Sequence, residues 1–279
     1  YSFVLKNINT DLKNSSINDN TSDIEFLTAG MFTASYPLKK IEKNLQKFLT
    51  PKISFRYSPT PTQNISDEDR RVDVNNVYSL DRLGSLESGA SVTLGSEYMI
   101  KNDSGLDIFS LELASVLRDK INEDLPIKST LERKTSNIFG NLKLKPSKYF
   151  NVEYNFSLDN NLDNSTYDQI KAEISINNFV NSFEFLEETG PLGNQGYWSN
   201  KTTFYIDNQN SLSFNKRRNT KTNLNEFYNL IYQYQNDCLT AAIEYNKDYY
   251  NDGDLKPSEE LFFSITIVPF TSVNSPNFN

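Results

Sequence analysis

The sequence predicts an all-β protein built as an antiparallel up-and-down sheet. Three observations predict it: apolar and polar residues alternate with a period of two in one segment after another, no segment commits to a helix, and short turns alternate with long polar connections. The alternation is plainest between Asn225 and Phe270. There Tyr228, Leu230, Tyr232 and Tyr234 oppose Asn229, Ile231, Gln233 and Gln235, and Leu239, Ala241, Ile243 and Tyr245 oppose Cys238, Thr240, Ala242, Glu244 and Asn246. A third run sets Leu261, Phe263, Ile265 and Ile267 against Phe262, Ser264, Thr266 and Val268.

From the N-terminus, Asp23 to Tyr36 places Ile24, Phe26, Phe32 and Tyr36 on one face, and after a Lys-rich turn Pro51 to Ser58 places Ile53, Phe55 and Tyr57 there. Between Pro59 and Asn76 the prolines and dense charges of PTPTQNISDEDRRVDVNN cannot pair as a central strand, so a long exposed loop is expected. Strand periodicity resumes at Val77 to Leu83, at Val92 to Tyr98 and at Leu106 to Arg118. In the last of these, IFSLELASVL fits a helical period as well, and its neighbours favour strand. Asp119 to Ser136 reads as another long polar loop.

Strands are then expected over Ile138 to Leu144, Val152 to Leu158, Ile170 to Ile176, Phe179 to Leu186, Tyr197 to Ile206 and Ser211 to Lys216, with Asp207 to Asn210 as a tight hairpin turn. The total is roughly fourteen strands. Short turns at Lys145 to Lys148, Asp207 to Asn210 and Gln235 to Asp237 alternate with long loops at Asn9 to Ser22, Pro59 to Asn76, Asp119 to Ser136 and Glu187 to Gly196. Loops sorted by length in this way belong to an up-and-down barrel with its short turns at one end.

Composition limits the function. The 279 residues carry a formal charge of -8, against a nucleic-acid role, which draws on an excess of Lys and Arg. There is no His, the commonest metal ligand and general base, and the single Cys excludes a thiolate zinc site or a disulfide within the chain. No metal or cofactor site is expected; Asp252, Gly253 and Asp254 form a turn rather than a calcium loop, and Asp67 to Arg71 a solvated charge run. No nucleophile motif or acid–base pair stands out, so no enzyme is expected.

Sixteen Tyr and 19 Phe in a chain of mean hydropathy -0.59 describe strands that are β-prone through aromatics and wet through amides. No apolar run approaches a membrane-spanning helix, a test that a β-barrel evades because its strands alternate. The opening YSFVLKNI is not a signal peptide, so the sequence reads either as cytoplasmic or as the tail of a longer chain. The faces opposite the apolar ones are rich in Asn, Ser, Thr and Gln, which suits a hydrated lumen; a soluble sandwich or β-helix with an amide-rich exterior stays open as the alternative.

NDCLTAAIEYNKDYYNDGDLKPSEELFFSITIVPF, with FLTPKISFRYSP, VYSLDRL and GASVTLGSEY, resembles the C-terminal barrel half of the lipopolysaccharide-assembly outer-membrane protein family (LptD, also OstA or Imp), in an alphaproteobacterial-like version. The resemblance implies residues 1 to 270 as part of a transmembrane β-barrel in the outer membrane of a Gram-negative bacterium and 271 to 279 as a short polar tail, with a periplasmic domain and first barrel half absent. Alone, such a partial barrel would leave open edges in lipid. It further implies lipopolysaccharide as cargo, an LptE-like plug lipoprotein, an LptA-like periplasmic bridge protein and the barrel-assembly machinery as partners.

On the same resemblance, Leu261, Phe263, Ile265, Ile267, Pro269 and Phe270 would form the last strand, serving as assembly signal and one side of a lateral gate, where Pro269 lacks an N–H to donate. Cys238 would form a disulfide with a cysteine upstream of Tyr1, although Asp237 stands where many family members carry a second cysteine. Alternatives are another outer-membrane barrel, such as a porin or receptor, and a soluble carbohydrate-binding β-protein.

Overall fold

The computed structural model describes residues 1–11, 22–190, 193–249, 256–267 and 271–274. Alternation becomes strand almost everywhere it occurs. The strands are β1 (Ser2–Asp11), β2 (Ser22–Ser35), β3 (Leu38–Glu42), β4 (Leu45–Ser58), β5 (Gly89–Asn102), β6 (Asp107–Arg118), β7 (Ile138–Ser147) and β8 (Phe150–Leu158). They continue as β9 (Ser165–Ile176), β10 (Phe179–Glu188), β11 (Gln195–Tyr205), β12 (Asn210–Asn219), β13 (Asn225–Gln235), β14 (Leu239–Asp248), β15 (Ser258–Ile267) and β16 (Thr271–Asn274). The one helical element among the described residues is a 3-10 turn at Ile127–Ser129. The fold is all-β, and each strand neighbours the next in sequence, in the order β1-β2-β4 and onward to β16, with β3 alongside β4.

The off-path strand has a simple cause. β4 pairs with β2 through Lys52 to Tyr57 and with β3 through Leu45 to Leu49, so β2 and β3 run along the same edge of β4. Tyr36 still donates its N–H to the Pro51 carbonyl at 3.1 Å, but Pro37 has none to donate and the ladder breaks there. Among the described residues, sixteen strands thus fill fifteen places in the sheet. The Lys-rich segment expected as a turn is β3 and the start of β4, and the reversal is confined to Lys43, at φ 50, and Asn44.

The chain divides into two compact units, Tyr1–Leu142 with Phe156–Thr166, and Lys143–Asn155 with Tyr167–Asn279. In the first, the two connections expected as exposed loops are instead the buried centre. Ile65, Val72, Val74, Val77 and Leu83 from the β4–β5 connection and Leu125 and Leu131 from the β6–β7 connection pack with Ala114 and Val116 of β6 and Phe139 of β7. Leu86 joins Leu27 and Ala29 of β2 in a second cluster. The overall polarity of these segments hides scattered apolar residues that lie on no regular period; each one fully buried contributes roughly 1.5 to 3 kcal/mol. Val77 to Leu83, expected as a strand, is a run of turns within this insert.

Among the described residues, every buried hydrophobic side chain belongs to the first unit. The second unit is a two-faced meander with tight turns. At Asn177, φ is 51, within the two-residue β9–β10 reversal. The expected turn at Asp207 to Asn210 is present: the Asp207 carboxylate accepts the N–H of Gln209 at 2.7 Å and that of Asn210 at 2.8 Å, which hold its pKa below the usual carboxylate value.

Three strands had escaped notice: β1, β3 and β16. β16 corrects two expectations, because residues 271–274 are not simply tail and pair with Ser264 to Ile267. The stretch from Leu261 therefore does not end the sheet. Its Leu261, Phe263, Ile265 and Ile267 lie in β15, whereas Pro269 and Phe270 lie outside the described residues.

Candidate functional site

The registers sort the side chains of the second unit into two surfaces. Across one face Phe179 neighbours Phe204, which neighbours Leu212, then Tyr232, Ile243 and Phe263. Thr202, Phe214, Leu230, Tyr245 and Leu261 form the adjoining row. Most of these apolar residues stand exposed, with Phe204 at 48%, Ile243 at 44% and Phe263 at 42% relative accessibility. Asn181, Asn200 and Thr202 interrupt this face on β10 and β11, but from β12 to β15 it is an exposed apolar patch that a water-soluble sheet would not gain from.

The opposite face is hydrophilic and internally bonded. Gln169 donates to Glu184 at 2.7 Å, Lys171 lies 3.9 Å from the same carboxylate, Arg217 pairs with Glu226 at 2.6 Å, and Asn229 donates to Glu244 at 2.5 Å. Thr203 and Ser213 hydroxyls meet at 2.8 Å. A depression of ≈ 410 Å³ lies here, lined by Asn151, Glu153, Lys171, Glu173, Ser182, Glu184, Ser199, Lys201 and Asn215 together with Ala172 and Phe183. Carboxylates and lysines interleave there without an isolated acid–base pair; the surface is suited to contacting water and charged or hydroxylated solutes.

In the first unit, described by itself, Ile53, Phe55 and Tyr57 of β4 are exposed while Ser54, Arg56 and Ser58 on its other face are buried, and charge fixes the two inserts. Glu87 is fully buried, its carboxylate accepting Nε and Nη2 of Arg82 at 2.7 Å each and Nη1 of Arg118 at 2.6 Å. Arg56 reaches from β4 to the carbonyls of Leu80, at 2.9 Å, and Glu87, at 2.8 Å. Burial opposes the Glu87 charge, but the adjacent guanidiniums, Arg82 foremost, outweigh it and hold the carboxyl down at about 2. Arg56 Nη2 and Arg118 Nε are buried without a hydrogen-bond partner, and of the three guanidiniums those of Arg82 and Arg118 bond the Glu87 carboxylate directly. With Arg82 and Arg118 side chains only 1% exposed, this ionic knot is a strut and not a binding pocket.

The inserts also hold each other. Ile65 N–H donates to the Asp124 carbonyl at 2.8 Å, Asn122 to the Thr62 hydroxyl at 2.7 Å, and Lys128 pairs with Asp69 at 2.6 Å. Close approach to the sheet is allowed by glycine: a Cβ on Gly95 would run into the Tyr78 hydroxyl and the Leu113 carbonyl. Neither the inserts nor the Arg–Glu knot was visible in the sequence as a unit. The signal was Arg82 within VYSLDRL, with Glu87 5 residues on and Arg118 31 residues beyond Glu87.

Of the residues singled out by sequence, Cys238 is an exposed free thiol in the β13–β14 turn, its N–H donated to Asn236 Oδ1 at 3.0 Å. Leu261, Phe263, Ile265 and Ile267 share the apolar face with exposures of 37% to 48%. Asp67, Glu68 and Asp69 are exposed, as expected of a solvated charge run, and Asp69 also pairs with Lys128 at 2.6 Å. Asp252, Gly253 and Asp254 lie outside the described residues. Among the described residues no cluster of His, Cys, Asp and Glu forms a metal site, and no helix is long and apolar enough to cross a membrane.

No family model matches the chain, and neither does any curated protein. Solved structures superpose on it weakly. They include engineered proteins of asymmetric conductivity, at 7% identity, and a triple mutant of Rhodopseudomonas blastica porin, at 6%, each with a TM-score of 0.42 over 98% of this chain and 93% of theirs. Likeness at that level carries no argument about what this chain does.

Proposed function

We propose that the chain is wall and internal lining of an outer-membrane β-barrel, a conduit rather than a catalyst. One observation carries the reading: a meander whose one face is apolar and exposed through the middle of β12 to β15 while the other is hydrophilic and cross-bonded. Lipid is the solvent that rewards the first face and a watery lumen the second. Strand lengths agree, since β13 has 11 residues, β14 10 and β15 10, against the roughly 9 to 11 needed to span a bilayer with tilt.

Reconstitution into planar bilayers tests this. Discrete ionic conductance supports a conduit; a protein that stays monodisperse without detergent and leaves the bilayer silent points to a soluble β-protein instead.

A second reading, lipopolysaccharide insertion by a lateral route, draws on the sequence resemblance and on one structural feature. β16 is short, and among the described residues it pairs with β15 only through Ser264 to Ile267. A short seam opens at the loss of few ladder hydrogen bonds, each costly in hydrocarbon. Depleting the protein in its host and assaying newly made surface glycolipid discriminates: stalled glycolipid supports lateral insertion, whereas normal glycolipid with reduced solute uptake supports a diffusion channel.

A further inference from the structure

On the apolar face of the second unit, the apolar rows stop along one line. Lys216 of β12 lies beside Tyr228 of β13, which lies beside Lys247 of β14, and Arg218 lies opposite Trp198 of β11. This line sits at the end of the strands where the longer connections, residues 189–194 and 220–224, emerge. Below it the same face is Leu212, Phe214, Leu230, Ile243 and Tyr245.

The line is a built cationic and aromatic patch. The Lys216 ammonium sits over the Trp198 ring at 5.1 Å and the Tyr228 ring at 5.2 Å, and Tyr228 packs edge-on against Tyr249, centroids 5.7 Å apart. Lys247 is neutralised by Glu259. Lys216 and Arg218 are not: among the described residues no carboxylate pairs with either, and the polar partner of Arg218 is the neutral Asn223, through its carbonyl at 3.3 Å and its side chain. Aromatic rings flank membrane interfaces because one part is apolar and the other wet, and Lys and Arg there extend toward headgroups. A cation held between two rings with no anion of its own is complementary to a phosphate at that height.

We propose that Lys216 and Arg218, framed by Trp198 and Tyr228, bind the phosphate of an anionic membrane lipid, one whose headgroup carries no cation of its own, at the long-loop end of the sheet. The proposal rests on the reading of this face as lipid-facing, and it adds a specific headgroup contact that the reading does not require. Anchoring there would fix the height of β11 to β14 in the bilayer.

Trp198 is the chain's single tryptophan, so its fluorescence reports on the site directly. The full chain in maltoside micelles is titrated with dioleoylphosphatidic acid, with dioleoylphosphatidylcholine and with inorganic phosphate. A saturable change in Trp198 emission with phosphatidic acid alone is expected, with the half-saturation rising roughly tenfold in Arg218→Gln, the effect of losing one charge-assisted contact. Lys171→Gln, on the opposite face, should leave it unchanged.

Equal responses to phosphatidylcholine or inorganic phosphate, or an equal loss in Lys171→Gln, would overturn the proposal. Native mass spectrometry of the unmodified protein provides a check independent of variants: retention of phosphatidic acid over phosphatidylcholine is expected, and equal retention contradicts it. Quenching of Trp198 by brominated phosphatidylcholine tests the underlying face assignment separately, and its absence would remove that foundation whatever the titrations show.

Discussion

Replacing Glu87 with Gln removes the carboxylate that two buried guanidiniums, of Arg82 and Arg118, hydrogen-bond, while leaving the side-chain volume nearly unchanged. The carboxylate accepts two bonds from Arg82 at 2.7 Å and one from Arg118 at 2.6 Å, and it has no exposed surface through which water could substitute. An amide accepts at one atom only and turns its NH₂ toward a guanidinium N–H. Breaking a buried pair in this way costs about 3 to 5 kcal/mol. The effect should be local, because Glu87 ends the insert of residues 59–88 and Arg56 also braces that insert through the Leu80 carbonyl.

Hydrogen exchange of insert amides such as Val77, bonded to Asp73 at 2.9 Å, and Ser79, bonded to Asn76 at 2.8 Å, is the assay. If the insert opens as a unit, exchange should accelerate on the order of 10² to 10³-fold in Glu87→Gln, while β13 and β14 amides are unaffected. A double change to Glu87→Met and Arg82→Met should do less harm than Glu87→Gln, since an apolar pair leaves fewer unpaired charges. Unaltered insert protection in Glu87→Gln would refute the role assigned to the knot.

Other expectations follow from the same geometry. Because the Glu87 carboxyl is held at about 2, below its ordinary 4.5, the stability it contributes is fully present above pH 4.5 and lost as pH falls toward 2, on the order of 3 kcal/mol for a fully buried group; insert exchange measured from pH 5 to pH 2 should steepen in the unmodified protein and not in Glu87→Gln. Gly140→Val should destabilise by about 1 to 3 kcal/mol because a Cβ there collides with the Phe156 ring, and Phe156→Ala should recover part of the loss, both read from denaturant midpoints. On the apolar face Leu230→Arg should cost roughly 2 to 4 kcal/mol of folding into liposomes, whereas Gln233→Arg on the other face should be tolerated.

Strands were legible because alternation is a local property. Val152 to Leu158 and the three C-terminal runs became β8, β13, β14 and β15 with boundaries shifted by a few residues. The ambiguous IFSLELASVL became strand because β5 pairs along it from Ser91 to Lys101, a long-range contact that the helical period cannot supply. Two faces per strand were legible for the same reason.

What the sequence concealed depends on contacts between distant residues. Ile65, Val72, Leu125 and Leu131 occupy segments whose charges and prolines read as solvated, and their burial arises only when two connections meet over β6 and β7. Arg118 read as the polar end of a strand; its partner Glu87 lies in another element. β16 escaped because TSVN is too short to show a period, and only its pairing with β15 defines it.

The central claim is that one face of the sheet meets lipid and the other water, and cysteine scanning along β13 tests it most directly. With Cys238 replaced by Ser, single cysteines at Asn229, Leu230, Ile231, Tyr232 and Gln233 are reacted in proteoliposomes with a membrane-impermeant maleimide and a bilayer-soluble one. Positions 229, 231 and 233 should react with the aqueous reagent and positions 230 and 232 with the lipid-soluble one, following the register of β13 with β12 and β14. Aqueous labelling at all five positions would contradict the account.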